Sequence, residues 1–454
     1  MQHHITALIE LLDDSSVLSS ADIAPRYHVD WGGENACEPS VVLRPVDTDA
    51  LRSALAYCNE NKLGIVTQGG MTGLSGGATP LEGEIVLSME RFNGIIELDH
   101  QGMTMTVKAG TPLQVIQQAA ADADLRFPLD LGARGSCHIG GNVATNAGGN
   151  QVVRFGSARS LVLGLEAVMA DGTPIRAMNK MIKNNAGYDL KHLFIGSEGT
   201  LGVITELVLR LYPGSESRKT ALCALSDFQA TTTFLKNIMA NLPGVTSFEV
   251  MWKSYVNAIC EVSEQARQPF DQQYELYVLL EAEGCTDEQF EQALFQQMEN
   301  NLVKDAVIAN SVKDSDAFWT IRDGVADLMT TLAGFASFDV GLPISKMKEF
   351  IESTDQALEA RFENIHNLPL GHIADGNLHF ITWTDNPNDV SAIYDCVYDI
   401  VAKFGGTVTA EHGVGVSKRK YLHLCRTREE ITLMKTLKKT MDPNGILNPG
   451  RILG

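Results

Sequence analysis

Residues 67–80 read TQGGMTGLSGGATP, and residues 131–150 read LGARGSCHIGGNVATNAGGN. Glycine at this density permits positive φ and lets bare backbone approach a ligand. Successive N–H groups in such turns form concave anion-binding nests. Both runs set Ser, Thr or Asn beside their glycines. Either run alone also suits plain turns, in a chain with 40 glycines. Two of them together point to a bound phosphate or pyrophosphate. No GxxxxGK[ST] occurs, and no GxGxxG joins a strand to a helix, so a P-loop and a Rossmann site are both disfavoured.

The first run sits in a recognisable frame. VVLR (41–44) reads as a strand, and residues 47–62 read as a helix capped by Asp47 or Thr48. GIVT (64–67) is a second strand leading straight into the glycines, which makes a βαβ unit. MTMTVKAG (103–110) alternates like a strand. TPLQVIQQAAADAD (111–124) reads as a helix with Thr111 as cap and Pro112 at its first position. LVLGLEAVMADGTPI (161–175) holds an Asp171-Gly172 hairpin turn, and LGVITELVLRLYP (201–213) is a β-branched strand. From about 215 long helical stretches alternate with isolated strands such as YELYVLLEAEG (274–284). The tail forms a helix stopped at Asp442-Pro443 and a short extended return.

The 454 residues suggest two or three domains. The formal charge of −20 argues against a nucleic-acid backbone or an anionic membrane as main partner. It also requires a site for any anionic substrate to carry its own positive charge. No run of 18 apolar residues predicts a membrane span. The segment MQHHITALIELLDDSS, with no Lys or Arg before Arg26, is read as neither a signal nor a transit peptide. Eight scattered cysteines without CxxC disfavour zinc-ribbon and thioredoxin readings and suit the cytoplasm.

Several ordered stretches resemble the FAD-binding domain of the vanillyl-alcohol oxidase family, also called the para-cresol methylhydroxylase type. They are TQGGMTGLSGG, GSCHIGGNVATNAGG, FGSARSLVLGLEAVMADG, NAGYDLKHLFIGSEGTLGVIT and DPNGILNPG. The resemblance implies an α+β fold, with a two-lobed FAD-binding domain over 38–214 after an extension over 1–37. A C-terminal α+β domain with an antiparallel sheet would follow over 215–430, and residues 431–454 would return to the FAD domain. It implies that Gly69, Gly70, Thr72, Gly73 and Leu74 hold the pyrophosphate. Gly132, Ser136, Cys137, Ile139, Gly140, Gly141, Asn142, Asn146, Gly148 and Gly149 would line the dinucleotide and flavin, and Val203 and Ile204 would meet the adenine side. Cys137 and His138 lie close to the flavin loops, but the relatives this sequence most resembles bind FAD non-covalently.

GHIADGNLHF (371–380) carries two histidines around an Asp375-Gly376-Asn377 turn that can fold both imidazoles toward one point. TAEHGVG (409–415) adds an adjacent Glu-His pair. Two imidazoles and a carboxylate suit a divalent metal such as zinc or manganese. The spacing alone equally suits ordinary polar histidines, because it lacks the tight intervals of known zinc motifs. Both segments resemble the C-terminal domain of the D-lactate and D-2-hydroxyglutarate dehydrogenase branch, whose pattern is GHxGDGNxH followed by EHGxG. Here Ala374 replaces one glycine of that pattern. The resemblance implies that His372, His379 and Glu411 bind the metal, that His412 is the catalytic base, and that Arg322, in DAFWTIRDGVAD, grips the substrate carboxylate. A D-2-hydroxy acid would lose its C2 hydride to the flavin, and an electron-transfer flavoprotein or a quinone would take the electrons. A homodimer is the assembly expected. The D-2-hydroxyglutarate branch places polar residues where this sequence has Ala326, Ser337 and Ile381, so a small substrate such as D-lactate is favoured. Alternatives are a D-2-hydroxyglutarate dehydrogenase, a non-catalytic flavin subunit of a glycolate-oxidising complex, and a metal-free oxidase on the same FAD domain.

Overall fold

Short apolar runs that alternate with an amphipathic helix before residue 100 fold into one sheet. The structure, a computed structural model, describes residues 2–33, 35–214 and 218–453. The expected start of the second domain at 215 lies outside the described residues. Strands Val17–Ser19, Val41–Leu43, Ile85–Ser88 and Ile65–Gln68 lie side by side in that order. The last three are parallel, and the first pairs antiparallel with its neighbour. Helix Thr48–Glu60 makes the crossover, and the Asp47 carboxylate accepts the Ala50 N–H as its cap. Leu51, Ala54, Leu55 and Cys58, one helical stripe, face the sheet. Ile5 and Leu8 of helix Gln2–Leu12 enter the same core, so the first residues pack.

A second sheet, all antiparallel, orders Ile95–Asp99, Thr104–Lys108, Val203–Arg210, Val162–Val168 and Pro174–Ala177. The Asp171-Gly172 turn joins its last two strands. One local expectation is corrected here. The helix after residue 110 starts at Leu113, and Pro112 takes the cap position in extended conformation. The Thr111 hydroxyl instead donates to the Lys108 carbonyl at 2.7 Å, so it turns back toward the preceding strand.

The tail packs on the first sheet. The Ile65 N–H donates to the Ile446 carbonyl, and the Asn448 N–H donates to the Ile65 carbonyl, both at 2.7 Å. Asn448 Oδ1 accepts the Thr67 N–H at 2.9 Å and its Nδ2 donates to the Glu198 carbonyl at 2.7 Å. Arg451 is wholly buried and paired with Glu84.

By compactness the chain forms two units, one of residues up to 149, 156–214 and 411 onward, the other of 150–155 and 215–410. The return to the first unit therefore starts at Glu411, where the sequence reading sets it at 431. The reason is visible in the first unit, where residues 412–416 already bond to Ser75 and Glu198.

The second unit is built on one seven-stranded antiparallel sheet. Its order is Val303–Ile308, Arg218–Leu225, Leu276–Glu283, Val245–Trp252, His366–Gly371, Asn377–Trp383 and Ala336–Gly341. Period-two alternation gives each strand two faces. On one face Met251, Leu279, Leu368 and Leu370 pack with Tyr255, Val256 and Ile259 of helix Lys253–Val262, and with Phe318 and Ile321 of helix Val312–Asp323. On the other, Phe338 and Phe380 meet Phe350 of helix Ile344–Glu359 and Tyr398 of helix Val390–Lys403. Their contacts are edge-to-face, with Phe350–Phe380 centroids 5.7 Å apart and Phe338–Tyr398 centroids 5.3 Å apart. Each fully buried ring contributes about 1.5–3 kcal/mol. No described helix is long and apolar enough to cross a membrane.

Asn448→Ala removes two buried partners at once, those of the Thr67 N–H and the Glu198 carbonyl. The expected loss is about 2–4 kcal/mol of unfolding free energy, read from urea denaturation. A wild-type midpoint would show that the tail does not brace the sheet.

Candidate active site: a flavin cradle and a histidine–carboxylate cluster

In the first unit the two glycine-rich runs touch backbone to backbone. A Cβ placed on Gly70 would lie 1.9 Å from the Ser136 carbonyl oxygen, so only glycine fits. Gly69 lies beside the His138 ring. Gly73, Leu74, Gly132, Ser136 and Gly141 are exposed along this seam, whereas Cys137, Ile139, Gly140, Gly148 and Gly149 are buried beneath it. Thr67 Oγ1, His138 Nδ1 and Asn142 Oδ1 are buried and lack a partner in the protein. Exposed glycine backbone beside such orphaned polar atoms fits a polar dinucleotide. Burial pushes the Cys137 thiol up, which disfavours the thiolate and suits a non-covalent flavin.

Other sequence-chosen positions serve the scaffold. Asn146 Oδ1 accepts from the Ser157 hydroxyl and the Arg159 N–H, both at 3.0 Å. The Val203 side chain belongs to the hydrophobic core, and Ile204 is 6% exposed. Neither side chain is open to an adenine.

The EHGVG segment is anchored within the same unit. Glu198 of the SEGTLG stretch accepts the Val414 N–H on one oxygen and the Gly415 N–H on the other, both at 2.7 Å. Burial raises the Glu198 carboxyl, and these two N–H groups together with Lys418 offset only part of that. The Ser75 hydroxyl bonds the carbonyl of Gly413 at 3.0 Å. A Cβ on Gly148 would lie 2.2 Å from Glu411 Oε1, so Gly148 makes room for that carboxylate. The loops read as flavin-binding thus also fix the backbone after Glu411 and His412.

In the second unit the GHIADGNLH turn brings its histidines together. Gly376 takes φ +88, a conformation that favours glycine. The His372 and His379 ring centroids lie 5.4 Å apart, nearly perpendicular, with a nitrogen of each within 4.8 Å of the other. His379 stands opposite Asp339 in the strand register, and Asp339 Oδ1 lies 4.0 Å from its Nδ1. Asp339 Oδ2 accepts from the Thr409 hydroxyl at 2.9 Å and the Ala410 N–H at 3.1 Å. Glu411 is the next residue in the chain.

Sequence reading missed Glu249. The register sets Met251 opposite Leu370 and Val250 opposite Gly371. One step further sets Glu249 opposite His372, and Glu249 Oε1 lies 2.7 Å from His372 Nδ1. Its other oxygen accepts from Arg322 Nε at 2.9 Å, and Arg322 Nη2 lies 2.9 Å from His372 Nε2. Burial would raise the Glu249 carboxyl, but His372 and Arg322 outweigh it and hold it down to about 2. The Tyr255 hydroxyl donates to the Arg322 carbonyl at 2.6 Å. The signal in sequence was faint: one glutamate at an inward position of FEVMW.

Residues 215–452 match the C-terminal domain of FAD-linked oxidases, and residues 39–178 match an FAD-binding domain. The chain is 35% identical to the D-2-hydroxyglutarate dehydrogenase of Xanthomonas citri pv. viticola, over 94% of this chain and 92% of that one. It is 35% identical to the mitochondrial D-2-hydroxyglutarate dehydrogenase of Danio rerio, over 96% of this chain and 82% of that one. The chain belongs to the FAD-linked D-2-hydroxy-acid dehydrogenases. Para-cresol methylhydroxylase with substrate bound shares the fold of this FAD-linked dehydrogenase, at TM-score 0.82 and 17% identity, over 99% of this chain and 96% of that one. Membership makes it a flavoprotein with FAD as cofactor, acting on a CH–OH donor.

Gly70→Ala forces the two flavin loops apart. The variant is expected to purify with little FAD, measured as flavin absorbance released per polypeptide on denaturation. Stoichiometric flavin would show that the close approach is dispensable.

Proposed function

We propose that this dehydrogenase oxidises a D-2-hydroxy acid with a short or apolar tail, D-lactate being the simplest, to the 2-oxo acid. The observation that carries the choice is one step along the sheet from His379. Ser337 stands opposite Ile381 in the strand pair that sets Asp339 opposite His379. Alternate residues share a face, so the wall beside His379 offers Ile381, 3% exposed, and one hydroxyl. Ala326 adds no charge. A second substrate carboxylate against this wall would be left unpaired, which is costly.

The same reading gives zinc or manganese to His372, His379 and Glu411. The donor chemistry fits: two imidazoles beside a carboxylate suit either ion and leave positions open. Anchoring of Thr409 and Ala410 on Asp339 supports Glu411 as the third donor. When bound, the metal would supply Lewis acidity to an α-hydroxy carboxylate, and FAD would supply the acceptor for two electrons and the C2 hydrogen. Arg322 pairs with the substrate carboxylate through the Nη2 edge that now meets His372. His412 takes the hydroxyl proton, a role an imidazole fills near neutral pH. Gly69, Gly70, Thr72, Gly73 and Leu74 hold the pyrophosphate, with the 131–150 run along the flavin. An electron-transfer flavoprotein or a quinone reoxidises the flavin. Eight cysteines, none in a disulfide, support a reducing compartment.

A second reading, D-2-hydroxyglutarate as substrate, draws on the resemblance to dehydrogenases of that name along nearly the whole chain. The ratio of kcat/KM for D-lactate to that for D-2-hydroxyglutarate decides between them. A ratio above about 10 is expected, one unpaired carboxylate costing 1.4 kcal/mol or more. A preference for hydroxyglutarate would replace the first reading with the second.

His412→Ala is expected to keep FAD bound while anaerobic flavin reduction by substrate slows by at least about 100-fold. Bleaching at the wild-type rate would remove His412 from the base role.

A further inference from the structure

Glu249 is buried at 2% exposure on a strand, and it touches two residues of the proposed chemistry. Its two oxygens divide between His372 Nδ1 at 2.7 Å and Arg322 Nε at 2.9 Å. The third side of the triangle closes with Arg322 Nη2 at 2.9 Å from His372 Nε2. A guanidinium can only donate. His372 Nε2 is therefore the acceptor, and Nδ1 carries the proton that it donates to Glu249. That tautomer leaves the Nε2 lone pair as the one available to a cation.

We propose that Glu249 is the positioning residue of the metal site, holding His372 in the Nδ1–H tautomer with Nε2 as its ligand atom. This rests on the metal reading above. A carboxylate behind a ligating imidazole fixes the ring and raises its basicity. The strand register explains the placement, because Glu249 and His372 each lie one residue beyond the paired Val250 and Gly371. The second oxygen ties Arg322 to the same anchor, so one side chain sets both the ligand and the substrate-gripping arginine. A cation arriving at Nε2 replaces the Arg322 Nη2 contact and frees that donor edge.

The test uses the full-length flavoprotein. Zinc affinity is measured by competition with a chromophoric chelator for wild type, Glu249→Gln and His379→Ala, alongside FAD content. Glutamine keeps the length but loses the charge, and it replaces one of the two accepting oxygens with an NH2 donor. Zinc should bind about 10–100-fold more weakly to Glu249→Gln, with FAD retained, and should be lost from His379→Ala. Wild-type affinity in Glu249→Gln together with loss in His379→Ala would overturn the positioning role and leave the metal site standing. Wild-type affinity in both would overturn the metal reading and this proposal with it. A second measurement needs no stable Glu249 variant. The ¹⁵N histidine spectrum of metal-free protein, assigned with His372→Gln, should show Nδ1–H at His372, and an Nε2–H signal would refute the assignment.

Discussion

A carboxylate at 2% exposure within a sheet face cannot remain charged without partners. Glu249 meets that constraint with one guanidinium and one imidazole, and those two groups are thereby held where chemistry can use them. Met251, Leu370 and Tyr255 belong to the apolar cluster on this side of the sheet. Low local polarity strengthens each of the three contacts and makes the loss of any one expensive. Arg322 is held from behind as well, through its carbonyl and the Tyr255 hydroxyl. Helix Val312–Asp323 therefore delivers its last-turn arginine into the sheet rather than to solvent.

The flavin half obeys a different constraint, contact between bare backbones. Gly70 against Ser136 joins one run to the other, and Gly148 makes room for Glu411. Ser75 and Glu198 then bind the segment that follows His412. A glycine-rich loop here does two jobs. It exposes bare backbone along the seam, and it sets the backbone that carries Glu411 and His412.

What the sequence made legible was local. The βαβ frame, the Asp47 cap and the Asp375-Gly376-Asn377 turn each follow from residues a few positions apart. The long motif resemblance supplied the flavin. Glu249 was not legible because its partner His372 is 123 residues away, and nothing in a strand pattern names a cross-strand partner. The same holds for Glu198, whose partner Val414 is 216 residues distant. Pro112 misled locally: its fixed φ suits a first helical position, but in extended conformation it serves as the cap, and Thr111 turns away. Val203 and Asn146 fit a family pattern by type, yet their side chains are spent on packing and on internal hydrogen bonds.

Charge supplies a further argument for a cation. A chain with a formal charge of −20 must bring local positive charge to an anionic substrate. In the second unit the carboxylates near His372 and His379 include those of Glu249, Asp339 and Asp375, and the guanidinium of Arg322 stands against them. Asp323, on the other side of Arg322, takes a further share of it. With neutral imidazoles that balance is negative, so a 2-hydroxy carboxylate would meet repulsion. Protonating the histidines would restore attraction but would remove the lone pairs and break the donor pattern between Arg322 and His372. A divalent ion at the imidazoles would offset that negative charge without spending a proton.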